Sequence, residues 1–107
     1  MYYKEQLISI RESLSDLLSD LKREMETLPE GSLYVDQKGG KNYYSHGLPK
    51  AGNRKKARRT PITKDPELVL ALVRKRYVKT AIPIIEKDLE ELDIAIENYT
   101  QIGRAHV

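Results

Sequence analysis

The chain has 107 residues, one third of them charged, with a net charge of +3. That length allows one small domain with a limited core, and a chain this polar suits helices sharing a seam better than a thick globular interior. Cysteine is absent, which excludes disulfides and thiolate metal sites, and no stretch approaches the roughly 18 uninterrupted apolar residues of a membrane span.

Met1 leads directly into Tyr2, Tyr3, Lys4 and Glu5, without the apolar segment of a secretory leader. The expected setting is therefore cytoplasmic, with no membrane partner. Charge is strongly segregated. Residues 1–30 carry four Lys/Arg against seven Asp/Glu, a local charge of −3. Residues 31–64 carry nine Lys/Arg against Asp36 alone, a charge of +8, and residues 65–100 carry five against eight, again −3. A basic middle lies between two acidic flanks.

Tyr3 to about Thr27 reads as a helix. Leu7, Ile10, Leu14, Leu17, Leu21 and Leu28 recur at steps near three and four, with Leu18 and Met25 widening the stripe, until Pro29 and Gly31 end it. From Ser32 the period changes to two: Leu33 and Val35 alternate with Tyr34 and Asp36. Gly39-Gly40 supplies a tight turn, and Asn42-Tyr43-Tyr44-Ser45 continues beyond it. This is a β-hairpin pattern, which Gly47, Pro49 and Gly52 should interrupt. Ala51 to Arg59 reads as a loop, and Arg59 to Thr63 as a short third strand that Pro61 sends to an edge.

Thr63 or Asp65 caps a second helix, with Pro66 in its first position and Glu67 in its first turn. That helix reads to about Tyr99. Val78, Ile82, Ile85, Leu89, Leu92, Ile96 and Tyr99 alternate at four and three, a seam for a second helix. About thirty-four residues at 1.5 Å each is roughly 50 Å, long enough to form one arm of a coiled coil. Pro83 predicts a bend near Lys79–Ile82, with the helix resuming beyond. Tyr2, Tyr3, Tyr77 and Tyr99 sit at helical positions and read as packing residues.

Neither stripe can be buried alone. The pattern predicts an α+β module over residues 1–100: two long antiparallel helices, a coiled-coil hairpin, with a small two- or three-stranded antiparallel sheet at the connecting end. A homodimer through the helix seam is the alternative way to cover these faces. Residues 101–107 read as a non-native tail, because Ile102-Gly103-Arg104-Ala105-His106-Val107 resembles the in-frame translation of a widely used sequencing adapter. On that reading the chain is the start of a larger protein.

Lys50, Arg54, Lys55, Lys56, Arg58 and Arg59 form a dense basic run, preceded by Lys38, Lys41, Tyr43 and Tyr44. Arg74, Lys75, Arg76 and Lys79 follow on the second helix. Phosphate neutralisation works through many such cations, and tyrosines can stack on bases. These residues, Arg74 and Arg76 among them, are the candidate nucleic-acid contacts. The bland alternative is a solvated loop that aids solubility. No base-reading motif is visible.

Pro29-Glu30 followed by Asp36-Gln37-Lys38 imitates a nuclease pattern in which two carboxylates hold a metal ion and a lysine assists the attacking water. Six positions across a helix end and one short strand make a poor metal cradle, so no catalytic role is expected. His46 lacks cysteine or a second native histidine as a partner, which argues against a metal site. Gly39-Gly40-Lys41 lacks the strand–loop–helix frame of a phosphate loop. No catalytic residue, metal or cofactor is expected.

Leu28-Pro29-Glu30-Gly31-Ser32-Leu33, the Gly39-Gly40-Lys41 turn with Tyr43-Tyr44, Ile62-Thr63-Lys64-Asp65-Pro66-Glu67-Leu68 and Lys75-Arg76-Tyr77 occur together. This arrangement resembles the N-terminal region of a group of uncharacterised bacterial and phage proteins. There an L-P-x-G-x-L hairpin precedes a helix with an A-x-K-x-Y-type run, and some members continue into a restriction-endonuclease-like domain. The resemblance implies a helix–hairpin–helix accessory region that helps a nuclease hold DNA. It carries over no catalytic residue, because the nuclease half has no counterpart here.

Overall fold

The computed structural model describes residues 2–48 and 58–105. The architecture is α+β, with α1 (Tyr2–Thr27), β1 (Ser32–Lys38), β2 (Lys41–Leu48), β3 (Arg58–Pro61) and α2 (Pro66–Ala105). The strands form one antiparallel sheet in the order β1-β2-β3. Lys50, Arg54, Lys55 and Lys56, with most of the loop expected from Ala51, lie outside the described residues. No helix among the described residues is long and apolar enough to cross a membrane. The chain divides into two compact units, one built from α1 up to Glu24 with α2 from Thr80 onward, the other from Met25–Lys79.

In the helical unit Arg11 pairs with Asp93, and Lys22 lies 3.5 Å from Glu86. Rising numbers on α1 meet falling numbers on α2, so the two segments run antiparallel. Leu21 and Ile85 are buried, and Leu7, Leu14, Leu18, Ile82, Leu89, Leu92, Ile96 and Tyr99 are half-buried. The α2 seam is the one its spacing predicts. On α1 the register differs: Ile10 and Leu17 are 50% and 44% exposed, while Leu18 is half-buried and Arg11 lies at the flank facing Asp93. The stripes 7-10-14-17-21 and 7-11-14-18-21 share three members and differ by a small rotation of a 3.6-residue helix. Arg11 can occupy a flank of the seam because its stem is apolar and its charge meets Asp93. Hydrogen bonding to Asp93, then its charge, raises the Arg11 guanidinium above its ordinary pKa.

α2 continues through Pro83 and runs past Tyr99 to Ala105. Pro83 faces solvent, so the carbonyl it leaves without an amide partner can bond water. Beyond Tyr99 the last turns gain side-chain support. Thr100 Oγ1 donates to the Ile96 carbonyl at 3.0 Å, and Gln101 Nε2 donates to Glu97 at 3.5 Å. Tyr3 and Tyr77 are both largely exposed, which corrects the reading of both as packing residues. At Tyr77 the ring faces Arg74, whose guanidinium carbon lies 5.2 Å from the ring centroid.

The second unit is organised by the β1–β2 hairpin. Gly39 and Gly40 both have positive φ, 59° and 76°, the pairing of a type I′ turn whose twist matches the strands. Leu33, Ile62 and Leu72 form the buried core, with Tyr44, Leu68 and Val69 against it. β3 extends this arrangement through Ile62, whose amide donates to the Tyr44 carbonyl at 2.9 Å. Thr63 and Asp65, alternatives as helix caps, divide the work. Asp65 Oδ1 accepts from the Leu68 amide at 3.3 Å and caps α2, whereas Thr63 Oγ1 accepts from the Tyr44 amide at 2.9 Å and holds the end of the sheet.

Candidate nucleic-acid interface

The sheet order leaves β1 at one edge, and the lower half of α2 supplies donors to it. Leu72 packs into the core; three and four residues later, Lys75 and Arg76 reach the chain entering β1. Lys75 Nζ donates to the Gly31 carbonyl at 2.9 Å, and Arg76 donates to the Leu33 carbonyl. These bonds satisfy backbone acceptors that no neighbouring strand takes up. His46 closes the same corner, its Nε2 lying 2.6 Å from the Glu30 carbonyl, so that nitrogen carries the proton. Gly31, with φ +96°, lies against His46 and the Gly47 carbonyl, and a side chain there would collide with both.

Strand pairing decides which residues share a face. Ser32 pairs with Gly47, Tyr34 with Ser45, and Gly47 with Arg59. Ser32, Tyr34, Gly47 and Arg59 therefore stand on one face, opposite Leu33, Tyr44 and His46. The Tyr34 ring crosses β2 over Gly47, occupying the space a Cβ there would need. The Arg59 guanidinium carbon then stacks 3.8 Å from the Tyr34 ring centroid. Gly47 thus lies inside β2 rather than interrupting the strand. Its missing side chain makes room for an aromatic ring.

Around this stack opens a cleft of about 410 Å³, lined by Glu30, Gly31, Ser32, Tyr34, Gly47, Leu48, Arg58, Arg59, Lys75 and Lys79. Among the described residues four cations border it against one carboxylate. A second hollow of about 300 Å³ shares Ser32, Tyr34, Lys75 and Lys79 with it and adds Arg76. Comparison with family models, curated proteins and solved structures finds no match. Chemistry has to be read from the side chains themselves.

The sequence candidates fall into different places. Arg58 and Arg59 line the cleft. Lys38 and Lys41 pair across the type I′ turn and are exposed, and Tyr43 is exposed on the face that carries Tyr34. Near Tyr43, a shallow hollow of about 480 Å³ is bordered by Pro61 and Lys64. Tyr44 instead is half-buried and packs against the core. Arg76 is engaged by the Leu33 carbonyl, and Arg74 lies over Tyr77. Asp36 pairs with Tyr43 on the exposed face of the hairpin, while Glu30 sits at the cleft. Among the described residues no group of three or more His, Cys, Asp or Glu is placed to hold a metal ion.

Tyr34 and Ser32 are members of the cleft that the sequence candidates did not include. One signal was present. A lone glycine within a strand pattern marks a close approach by another group, and Gly47 pairs in a register that puts Tyr34 beside it.

Proposed function

We propose that this module contacts nucleic-acid phosphates through the cleft beside Tyr34 and the exposed face of the hairpin, as an accessory binding region of a larger protein. The supporting observation is the convergence of Arg58, Arg59, Lys75 and Lys79, from two separate elements, on one concavity whose single acidic member among the described residues is Glu30. Cations gathered this way give each phosphate several charge-assisted donors, which a solvated basic run does not require. Tyr43, exposed beside Lys64 and Pro61, adds an aromatic surface for a base. Titration of duplex and single-stranded DNA at two salt concentrations tests the reading. Affinity should fall steeply with salt, and changing Arg58, Arg59 and Lys79 to Ser should flatten that slope by about 0.7–0.9 for each phosphate no longer neutralised. Affinity indifferent to both salt and these substitutions rejects it.

A second reading, a homodimer of helical units, has its own support. Ile10 and Leu17 on α1, and Ile84 and Ile94 on α2, remain exposed after the antiparallel pair has formed. Beside them a hollow of about 320 Å³ is lined by Ile10, Leu14 and Leu92 with Asp88 and Glu91. Sedimentation velocity across a concentration series checks it; a strict monomer at every concentration rules it out.

A further inference from the structure

We infer that the cleft beside Tyr34 seats the terminal phosphomonoester of a nucleic-acid strand, an assignment that rests on the nucleic-acid reading and narrows it to strand ends. The first ground is the state of Arg59. One flat side of its guanidinium is occupied by the Tyr34 ring, and that ring is itself held over Gly47. The stack fixes the plane of the fork and leaves its in-plane N–H edge to bond an acceptor, the geometry suited to two oxygens of one phosphoryl group.

Lys75 is the second ground. Its ammonium is anchored on the Gly31 carbonyl, and an ammonium has three donors, so two remain. Lys79 follows one helical turn later on the same side of α2 and lines the same cleft. Neither Lys79 nor Arg58 has a carboxylate partner among the described residues. An internal phosphodiester brings a single negative charge, whereas a phosphomonoester carries about −1.5 to −2 at pH 7. Among the described residues the cleft's four cations outnumber its one carboxylate by three, more charge than one diester needs and enough for a dianion.

Shape points the same way. A cleft of about 410 Å³ is of the size that receives a small ligand or the end of a larger one. An internal phosphate has sugar on both sides and must enter broadside. A terminal phosphate has chain on one side only and can enter end-on, towards the cleft that Arg59, Lys75 and Lys79 line.

The experiment uses the full chain and labelled single-stranded oligonucleotides of one sequence, with a 5′-phosphate, a 3′-phosphate, or hydroxyls at both ends. Fluorescence anisotropy reads the affinities, with inorganic phosphate and a nucleoside 5′-monophosphate as competitors. One of the two phosphorylated strands should bind about tenfold tighter than the hydroxyl-ended strand, the size of effect that a charge-assisted hydrogen bond supplies. Arg59→Lys keeps the charge but loses the planar fork. It and Lys79→Ser should each bring the ratio towards one, whatever they do to overall affinity, while circular dichroism confirms the fold. Equal affinities for all three strands, with salt dependence intact, overturn end recognition and leave the phosphate-contact reading standing. Saturable binding of the free monophosphate without any DNA binding overturns the strand-end assignment and the nucleic-acid reading, and reassigns the cleft to a small phosphomonoester. A ratio unchanged by either substitution overturns the placement at this cleft.

Discussion

Gly47 has the identity its neighbour demands. Tyr34 lies where a Cβ would project, so Gly47→Ala forces either the ring or the strand to move. We expect Gly47→Ala to lower stability by about 1–3 kcal/mol in urea denaturation, the usual cost of overpacking. In a Tyr34→Ala background the same change should cost far less, because the colliding atoms are gone; equal costs in both backgrounds would refute the packing explanation. The Arg59–Tyr34 stack depends on the same glycine, so the alanine variant should also weaken DNA binding. Leu72 provides the contrasting case. At 1% exposure within the Leu33–Ile62 core, Leu72→Ala should cost about 2–5 kcal/mol by the same measurement, through reduced burial and the cavity left behind.

At the scale of elements, the register of α1 separates two descriptions of one helix. Leu17 and Leu18 are neighbours of identical chemistry, yet Leu18 faces the seam and Leu17 is 44% exposed. Leu18→Ala should therefore destabilise by about 2 kcal/mol and Leu17→Ala by less than about 1 kcal/mol. Reversed costs would restore the stripe read from spacing alone. Pro83 is the other test at this scale. It lies inside α2 on an exposed position, where it removes one amide donor without breaking the element. Pro83→Ala should raise the thermal midpoint, with a gain of up to about 3 kcal/mol if the helix accepts a straight turn there. A lowered midpoint would show that a bend at this position is part of the packing.

At the scale of the whole molecule, charge segregation along the chain becomes two chemically different units. In the helical unit Arg11, Lys22 and Arg23 each meet a carboxylate: Asp93, Glu86 and Asp20. In the sheet unit Lys75 and Arg76 bond backbone carbonyls instead, and Arg58, Arg59 and Lys79 border an open cleft. Raising the salt concentration should therefore weaken DNA binding much more than folding stability, since exposed ion pairs contribute little to stability. Parallel anisotropy and urea titrations at low and high salt check this. A fall of both in step would mean that the cations act mainly on the fold.

Element types followed from local rules. A stripe at three and four specifies a helix, alternation at two a strand, and two successive glycines a type I′ turn, because each depends only on residues close in the chain. The α+β architecture and the α2 seam were legible for that reason. The inward face of α1 was not, since two stripes differing by a small rotation fit one sequence and only contact with a partner helix separates them. Nor could the basic run show which cations are free. Arg76 and Lys75 bond carbonyls more than forty residues away, and Tyr34 reaches Arg59 across an intervening strand. Long-range pairing sets these contacts, so the cleft exists only once the sheet has closed against α2.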